Sequence, residues 1–231
     1  MYLRATRVFL RYAMTQGYLN EFKITLISQD KAVKEIYSEE EIEKLIKKPD
    51  LKSCSFSEYR NWVMVQYFLE TGNRRNTVLN MKVRDLDLTG GMAILTTTKN
   101  RQQMYVPLSS ALVKILTDYI RVWESLDDPE SYLFPSEEGK QMTKDSMSKA
   151  IARYNKKRGV EKTSVHAFRH TFGTNYARKG GNIFKLQRLM GHSSIEVTKG
   201  YVNLTGEDLK ADIDEYSIID NMRSKKVQRR A

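Results

Sequence analysis

The histidines of this chain are gathered in one stretch. Of 231 residues only three are histidine, namely His166, His170 and His192, and all three lie in the C-terminal third. His166 and Arg169 are three residues apart, so on a helix both side chains project from one face. Histidine can move a proton near neutral pH, and arginine can hold an anion with several N–H donors. Residues of these two types could together do acid–base chemistry on a negatively charged group, although the pair alone is a weak signal.

Two distant residues extend this pattern. Arg74 follows Thr71-Gly72 far upstream, and Tyr201 comes nine residues after His192. Each residue alone has a bland explanation, since a tyrosine usually packs half-buried and a histidine beside an arginine is usually a surface or core polar pair. Their occurrence together, in this order, predicts one site built from separate parts of the chain.

The charge of the chain favours a polyanionic partner. Lysine and arginine number 39 against 28 aspartate and glutamate residues, which gives a net charge of +11. Basic side chains displace the counterions condensed on phosphates, so nucleic acid is the partner that the charge favours. Charge alone is weak evidence, because many basic proteins bind no specific nucleic acid. The sequence shows no basic amphipathic helix of the membrane-lying type, and we expect no membrane partner.

The sequence indicates neither secretion nor a cofactor. No apolar run approaches the roughly 20 residues that span a bilayer, and the first residues lack the features of a signal peptide. We therefore expect a cytoplasmic protein. The single cysteine, Cys54, can form no internal disulfide and offers no metal-ligand spacing. Because no paired-carboxylate cluster is evident either, we expect no metal and no other cofactor.

The periodicity predicts a mostly α-helical domain of the α+β class with a small antiparallel sheet. Ser38-Glu39-Glu40-Glu41 forms a capping box that opens a helix through about Lys48. Strands are predicted at 92–98 and 104–108, joined by a basic hairpin tip that contains Lys99. The other predicted helices lie at 57–70, 77–81, 111–125 and 143–156, and from 165 almost to the end with breaks at Gly180-Gly181 and Gly191.

The motifs that carry these residues resemble those of the tyrosine recombinases, also called phage-type integrases. Thr71-Gly72-Asn73-Arg74 is similar to the Thr-Gly-x-Arg turn of that family, and Lys99 stands on a predicted hairpin, as the family's lysine does. The segment from His166 to Phe172 resembles the His-x-x-Arg box and its usual continuation. Leu189–Ile195 resembles the Gly-His motif, and Tyr201 falls at the family's spacing from it.

The resemblance covers about residues 38–220 and implies the tyrosine-recombinase catalytic fold. Because Tyr201 has the expected spacing, Tyr176 and Tyr216 are poorer candidates for the nucleophile. The residues that match catalytic positions of the family are Arg74, Lys99, His166, Arg169, His192 and Tyr201.

These residue types fit the cleavage of a phosphodiester. Two arginines can hold the non-bridging oxygens, on which negative charge gathers in the transition state. Tyr201 is the expected nucleophile, and its phenol, with an ordinary pKa of about 10, must lose or share its proton during attack. His166 is the candidate general base and His192 a candidate donor to the phosphate. Lys99 is the candidate general acid for the departing 5′ hydroxyl.

The resemblance also implies what the enzyme does. Its expected activity is site-specific DNA cleavage and rejoining through a 3′-phosphotyrosyl intermediate, for the integration and excision of a bacterial mobile element or prophage. The implied partners are double-stranded DNA, three further copies in a homotetramer on synapsed DNA, and an accessory directionality factor. Two alternatives stay open, a non-catalytic DNA-binding relative and an enzyme like the type IB topoisomerases.

Three residues call for separate comment. Asn73 stands where the family usually has an apolar residue, and Thr77 stands where it usually has an acid that is thought to brace the active site. These two departures are the reason to keep the non-catalytic alternative. His170 neighbours Arg169 and on a helix points elsewhere, so a structural polar contact is the favoured prediction for it.

The resemblance divides the chain into four segments. Residues 1–17 are expected to be the last helix of a preceding core-binding domain, which would make the chain a fragment, and 18–37 a linker. Residues 38–222 are expected to be the catalytic domain and 223–231 a basic tail. A helix predicted at 207–222 could dock on a neighbouring subunit or pack on its own domain.

Overall fold

The computed structural model describes residues 2–24, 35–96, 103–123, 126 and 128–202. Internal contacts divide the chain into two units, Met1–Val33 and Lys34–Ala231. Lys99 and the predicted segments 207–222 and 223–231 lie outside the described residues. Among the described helices, none is long and apolar enough to cross a membrane.

The N-terminal unit contains the first helix, α1 (Tyr2–Thr15). After it the chain turns at Gly17, whose φ of +74° lies in the left-handed region that glycine adopts without steric cost. Val8, Phe9 and Tyr12 on α1 are exposed.

The second unit is built around the helix α3 (Phe56–Thr71), in which every residue from Tyr59 to Phe68 is buried. A helix that is buried around its circumference lies in the middle of a domain rather than on its surface, and the polar Arg60, Asn61 and Gln66 of α3 are buried with its apolar residues. It packs against α2 (Glu39–Ile46), α5 (Ser110–Val122), α6 (Lys144–Lys157) and α7 (Val165–Arg178). The predicted capping box of α2 is confirmed, with Ser38 and Glu41 bonding each other's backbone N–H.

Tyr37, the last residue of the predicted linker, lies in the core of the second unit. Its ring stacks on Phe168 at a centroid distance of 4.4 Å. Its backbone N–H donates to the Thr171 hydroxyl at 2.9 Å, and its own hydroxyl accepts from the Asn155 amide at 2.9 Å. These contacts fix the start of the unit against α6 and α7.

The sheet has three antiparallel strands in sequence order, β1 (Leu86–Asp87), β2 (Met92–Thr96) and β3 (Gln103–Pro107). Met92 pairs with Pro107 and Thr96 with Gln103, so β2 and β3 form a hairpin as predicted. The sequence analysis missed β1, because two residues are too short for a periodic pattern. A short helix α4 (Arg75–Asn80) and a 3-10 turn (Val83–Asp85) connect α3 to this sheet.

Between α7 and the last described residue, 202, lie two short helices, α8 (Ile183–Met190) and α9 (Ile195–Lys199). Each begins at a side-chain cap: Asn182 accepts from two backbone N–H groups of α8, and Ser194 accepts from one of α9. Leu186, Met190 and Tyr201 form a small buried cluster with Phe172 and Tyr176 of α7. The predicted fold class is thereby confirmed: a mostly helical domain with a small antiparallel sheet.

Candidate active site

The turn after α3 sets the position of the first arginine. Gly72 ends the helix with a φ of +58°, a backbone conformation that residues other than glycine rarely adopt. A Cβ at this position would also collide with the ring of Phe172 on α7. The close approach of α3 and α7 therefore requires glycine here. Arg74, two residues later, is the N-terminal cap of α4, and its exposed guanidinium donates from Nη1 to the Gly191 carbonyl at 2.7 Å.

The second arginine is held more tightly. Arg169 on α7 is 6% exposed, and it donates from Nη1 to the Gly72 carbonyl and from Nη2 to the Met190 carbonyl, both at 2.7 Å. Burial, and then the charge of Arg74, lower the pKa of Arg169 to about 10. The guanidinium nevertheless stays charged at neutral pH. Arg169 thus ties the end of α3 to the end of α8 through one side chain.

The two guanidinium groups lie in one electropositive site. They donate to the carbonyls of consecutive residues, Met190 and Gly191, and the charge of Arg74 acts on the pKa of Arg169. Among the described residues, no carboxylate forms an ion pair with either arginine. Within that part of the chain, neither arginine pairs with an acid in place of the one expected at the position of Thr77. Two guanidinium cations that face each other's site in this way can together hold an anion such as a phosphate group.

The β2–β3 hairpin, in which Lys99 falls between the two strands, lies beside this site at the start of β3. A Cβ added to Gly191, where φ is +58°, would stand 3.1 Å from Met104 Sδ on β3 and 3.3 Å from Arg74 Nη1. Glycine at this position allows β3, the end of α8 and Arg74 to approach one another closely. Lys99 itself lies outside the described residues, so its predicted place at the hairpin tip stays a prediction.

Two of the histidines occupy different parts of the site. His192 follows α8, and its Nδ1 lies 2.8 Å from the Thr198 hydroxyl. Its ring is parallel to that of Tyr201, within 1°, at a centroid distance of 6.2 Å. His166, in the first turn of α7, is exposed, and its pKa is lowered by partial desolvation and then by the charges of Arg75, Arg169 and Arg74. A lowered pKa keeps its imidazole neutral at physiological pH.

Tyr201 is buried between these groups, with 7% of its surface exposed. Its hydroxyl lies 3.0 Å from Nδ1 of His170. A Cβ added to Gly173, one turn after His170 on α7, would stand 2.9 Å from the Tyr201 ring atoms Cδ1 and Cε1. Burial raises the pKa of the phenol, while the charges of Arg169 and Arg74 act in the opposite direction. The ring is therefore seated against α7, and its oxygen lies within the field of both arginines.

The structure thus brings together five of the six residues that the sequence analysis selected. Arg74, Arg169, His166, His192 and Tyr201 come from four segments and meet at the N-terminal half of α7. His170 was expected to make a structural polar contact, and its Nδ1 lies 3.0 Å from the Tyr201 hydroxyl, a partner that was not predicted. The signal that could have indicated this was its spacing of four residues from His166, which places both rings on one helix face.

Asn73 has a structural explanation. The residue is buried, and its amide nitrogen donates to the hydroxyl of Tyr67 at 2.9 Å. A polar residue at this apolar position is thus matched by a buried tyrosine hydroxyl on α3. The Asn73 carbonyl oxygen is buried and accepts no hydrogen bond from any of the described residues. Arg75, the other unusual residue of this turn, donates to the Ser148 hydroxyl on α6.

Comparison with known proteins gives the family. The sequence profile of the phage integrase family matches residues 35–207, three quarters of the chain. The chain belongs to the phage integrase family. This membership places it among the tyrosine recombinases, a class of enzymes that cleave DNA strands.

Individual members of the family resemble the chain over most of its length. Tyrosine recombinase XerD of Staphylococcus epidermidis is 24% identical over 216 residues, which cover 90% of this chain and 72% of XerD. The crystal structure of XerA recombinase is 28% identical with a TM-score of 0.64, over 78% of this chain and 64% of XerA. The Tn1549 transposon integrase, in complex with circular intermediate DNA, has the same fold at 20% identity and a TM-score of 0.75, over 92% of this chain and 77% of that integrase.

Proposed function

We propose that this chain cleaves and rejoins double-stranded DNA at a specific site through a 3′-phosphotyrosyl intermediate on Tyr201. The observation that carries the proposal is the convergence of Arg74 and Arg169 with the Tyr201 hydroxyl, whose pKa both arginines influence. A phosphate held between the two guanidinium groups would present its phosphorus to that hydroxyl. Family membership and the net charge of +11 support DNA as the source of the phosphate.

The proposed roles follow from the contacts. Arg169 is fixed by hydrogen bonds to two carbonyls, so its remaining N–H groups are preorganised toward a phosphate. Arg74 donates to one carbonyl and keeps its other N–H donors for the phosphate. His192 steadies the phenol ring by stacking and could donate to a phosphate oxygen from Nε2, because its Nδ1 faces Thr198. Two groups then remain to be assigned, the acid and the base.

Lys99 is the proposed general acid. It would protonate the 5′ oxygen as the bond between phosphorus and that oxygen breaks. Its hairpin is near the site, because Met104 of β3 and Arg74 both lie next to Gly191. The base is a histidine of α7. The sequence pattern favours His166 for this role, whereas the contact of 3.0 Å to the Tyr201 hydroxyl favours His170. The phosphotyrosyl bond conserves the energy of the broken phosphodiester, so rejoining requires no ATP.

The wider setting is also proposed from the relatives. XerD of Staphylococcus epidermidis is a bacterial tyrosine recombinase and the Tn1549 protein is a transposon integrase, so integration and excision of a bacterial mobile element is the proposed process. We further propose a homotetramer on synapsed DNA, an accessory directionality factor, and a cytoplasmic location where the DNA lies. The proposed domain boundaries are those given by the sequence motifs, with residues 38–222 as the catalytic domain.

One observation supports the non-catalytic alternative. The Arg74 guanidinium is exposed and pairs with no carboxylate among the described residues, where the family usually supplies a bracing acid at the position of Thr77. A loosely held first arginine would weaken phosphate activation. The Tyr201 contacts and the intact Arg169 arrangement favour activity instead.

The test is covalent capture of DNA. A binding site is first selected by this chain from randomised duplexes, and the site is then made as a nicked duplex whose cleaved end diffuses away. We expect the wild-type chain to form an adduct that survives a denaturing gel. Tyr201→Phe should form none, whereas Tyr176→Phe, a change in the same buried cluster, should keep the adduct.

Each other result has a defined meaning. Specific DNA binding without an adduct from the wild-type chain would establish the non-catalytic alternative. An adduct together with relaxation of supercoiled plasmids that lack the selected site would indicate an activity of the topoisomerase type. Loss of the adduct in Tyr176→Phe but not in Tyr201→Phe would assign the nucleophile to Tyr176.

A further inference from the structure

We propose that His170 is the general base that accepts the Tyr201 proton during DNA cleavage and returns it during rejoining. The inference rests on the proposed function, and it assigns a role to a histidine outside the six residues that the family motifs select. It replaces His166 in the one step for which the sequence pattern had favoured that residue. The remaining proposed roles are unchanged.

Geometry distinguishes the three histidines. His170 Nδ1 lies 3.0 Å from the Tyr201 hydroxyl oxygen, within the 2.6–3.2 Å that a general base requires. His166 makes no hydrogen bond to Tyr201 among the described residues, and its ring centroid stands 6.5 Å from that of His170. His192 directs its Nδ1 to Thr198 and presents its ring face to the tyrosine. Of the three, His170 is therefore the one placed to take the proton from the reacting oxygen.

The position of the Tyr201 ring orients its hydroxyl toward His170. The phenol ring packs against Gly173, which lies one turn beyond His170 on the same helix face. Tyr201 also belongs to the buried cluster that contains Leu186 and Met190 of α8. A ring seated in this way, with 7% of its surface exposed, has its hydroxyl directed at the His170 edge. The tautomer with its proton on Nε2 makes Nδ1 the acceptor for the phenol.

The proton transfer is coupled to the charge of the substrate. Among the residues that the structure describes, the charged or titratable groups that face the pair are His166 and Arg169 on α7, Arg74 at the start of α4, and His192 after α8. Two fixed cations disfavour a third positive charge on an imidazole. A bound phosphate neutralises them, and it then favours the imidazolium that forms when the proton moves. We therefore expect the base to act only when a DNA phosphate occupies the site.

Protons and bonds balance in both directions of the reaction. The O–H bond of Tyr201 breaks, its proton forms a bond to His170 Nδ1, and the phenol oxygen attacks phosphorus. The bond from phosphorus to the 5′ oxygen breaks, and that oxygen takes a proton from the proposed acid Lys99. In rejoining, the 5′ hydroxyl returns its proton to Lys99 as it attacks, and the His170 imidazolium returns its proton to the departing Tyr201 oxygen.

Two substitutions at His170 separate proton transfer from mere hydrogen bonding. In His170→Asn the amide oxygen stands about where Nδ1 stands, so it can accept the phenol hydrogen bond but cannot take the proton. In His170→Phe both abilities are lost and the ring volume is roughly kept. Single-turnover cleavage of the selected nicked duplex should fall by about 10²–10⁴-fold in both variants. Thermal unfolding and DNA binding are measured alongside to show that each variant is folded.

The pH profile identifies the base. Without a base, the phenolate must form by ionisation of Tyr201, and its fraction rises about tenfold per pH unit below the pKa of the phenol. Cleavage by His170→Asn should therefore rise about tenfold per pH unit, while the wild-type rate levels off. The comparison variant is His166→Asn, one turn earlier on the same face: its rate is expected to fall, because His166 belongs to the site, but its pH profile should level off as in the wild type.

Three outcomes would overturn the proposal. A wild-type rate in His170→Asn would show that the contact only orients the phenol. The tenfold rise in His166→Asn, with a level profile in His170→Asn, would return the base to His166. Absence of an adduct from the wild-type chain would reject the proposed function and the inference together, whereas the first two outcomes leave the proposed function intact.

Discussion

The arginine proposed to hold the phosphate and the tyrosine proposed as the nucleophile lie in two regions of different construction. Arg169 emerges from the large core around α3 and α7, with both ends of its guanidinium bonded to buried carbonyls. Tyr201 belongs to a separate small cluster, formed by α8, the segment after α9 and the far end of α7. Both regions include helix α7, and the Arg169 guanidinium also bonds the end of α8.

The difference shows how the domain separates two requirements. The arginine proposed to receive the phosphate is preorganised by the core, so its geometry is present before DNA binds. The proposed nucleophile instead depends on a few contacts to α7, with Gly173 and His170 as the defined ones. Substitution of Arg169 should therefore affect stability and chemistry together, and substitutions around Tyr201 should affect chemistry alone.

The largest contrast is expected between the two arginines. Arg169→Lys leaves at least one buried carbonyl without a donor, and it should cost about 1–3 kcal/mol of unfolding free energy as well as 10²–10³-fold in cleavage. Arg74→Lys, at an exposed position, should lose cleavage to a similar extent and change stability by less than about 0.5 kcal/mol. Denaturant unfolding and single-turnover cleavage measure the two effects. Equal losses of stability would break the comparison.

The next largest effect should come from Gly173→Ala. The added Cβ would stand 2.9 Å from the Tyr201 ring, so the ring must shift, and a shift of about 1 Å can cost 10²-fold in rate. Alanine is also the better helix former by about 1 kcal/mol, so the unfolding free energy should hardly fall. Thr174→Ala, about 100° further around the helix, is the control and should cleave normally. A destabilised but active Gly173→Ala would contradict the separation of the two regions.

A smaller effect, confined to stability, is expected at the end of α3. Tyr67→Phe removes the partner of the buried Asn73 amide, and it should cost about 1–3 kcal/mol. Asn73→Leu in that background removes the orphaned amide and should recover most of the loss. Thermal or denaturant unfolding of the two single variants and the double variant measures this coupling. Additive losses would show that the pair does not explain why asparagine occupies this apolar position.

The smallest effect should be a pH dependence that arises from His166. Its pKa is lowered in the folded protein, so the unfolded state binds more protons as the pH falls below about 6.5. The contribution of His166 to stability is complete above that pH and is lost as the pH falls through the folded pKa. His166→Gln should flatten the fall in unfolding free energy between pH 7 and 5. An unchanged slope would show that neither partial desolvation nor the charges of Arg75, Arg169 and Arg74 lower the pKa of this ring in the folded protein.

Much of the fold was predictable because its signals are local. The capping box at Ser38, the glycine after α3 and the β2–β3 hairpin all follow from residues close in sequence. The strand β1 and the buried position of Tyr37 were not predictable, because each depends on partners outside its own short segment.

The candidate site was likewise predictable where its signals are local in sequence, and not where they depend on contacts between distant residues. Spacing within motifs predicted which residues meet, and the contacts of Arg74 and Arg169 are consistent with that prediction. The contact of His170 with Tyr201 was missed, since helical geometry shows only that His170 points away from Arg169 and not what lies there. The hydrogen bond that pairs Asn73 with Tyr67 was likewise invisible without the fold.

The central claim is that Tyr201 is the nucleophile, and mapping the covalent adduct tests it most directly. The wild-type chain is incubated with the nicked duplex, digested with trypsin and nuclease, and analysed by tandem mass spectrometry. Trypsin cleaves after Lys199 and Lys210, so the nucleotide should be found on the peptide 200–210, at Tyr201. A nucleotide on another of the 13 tyrosines, for example Tyr176 on α7, would contradict the account.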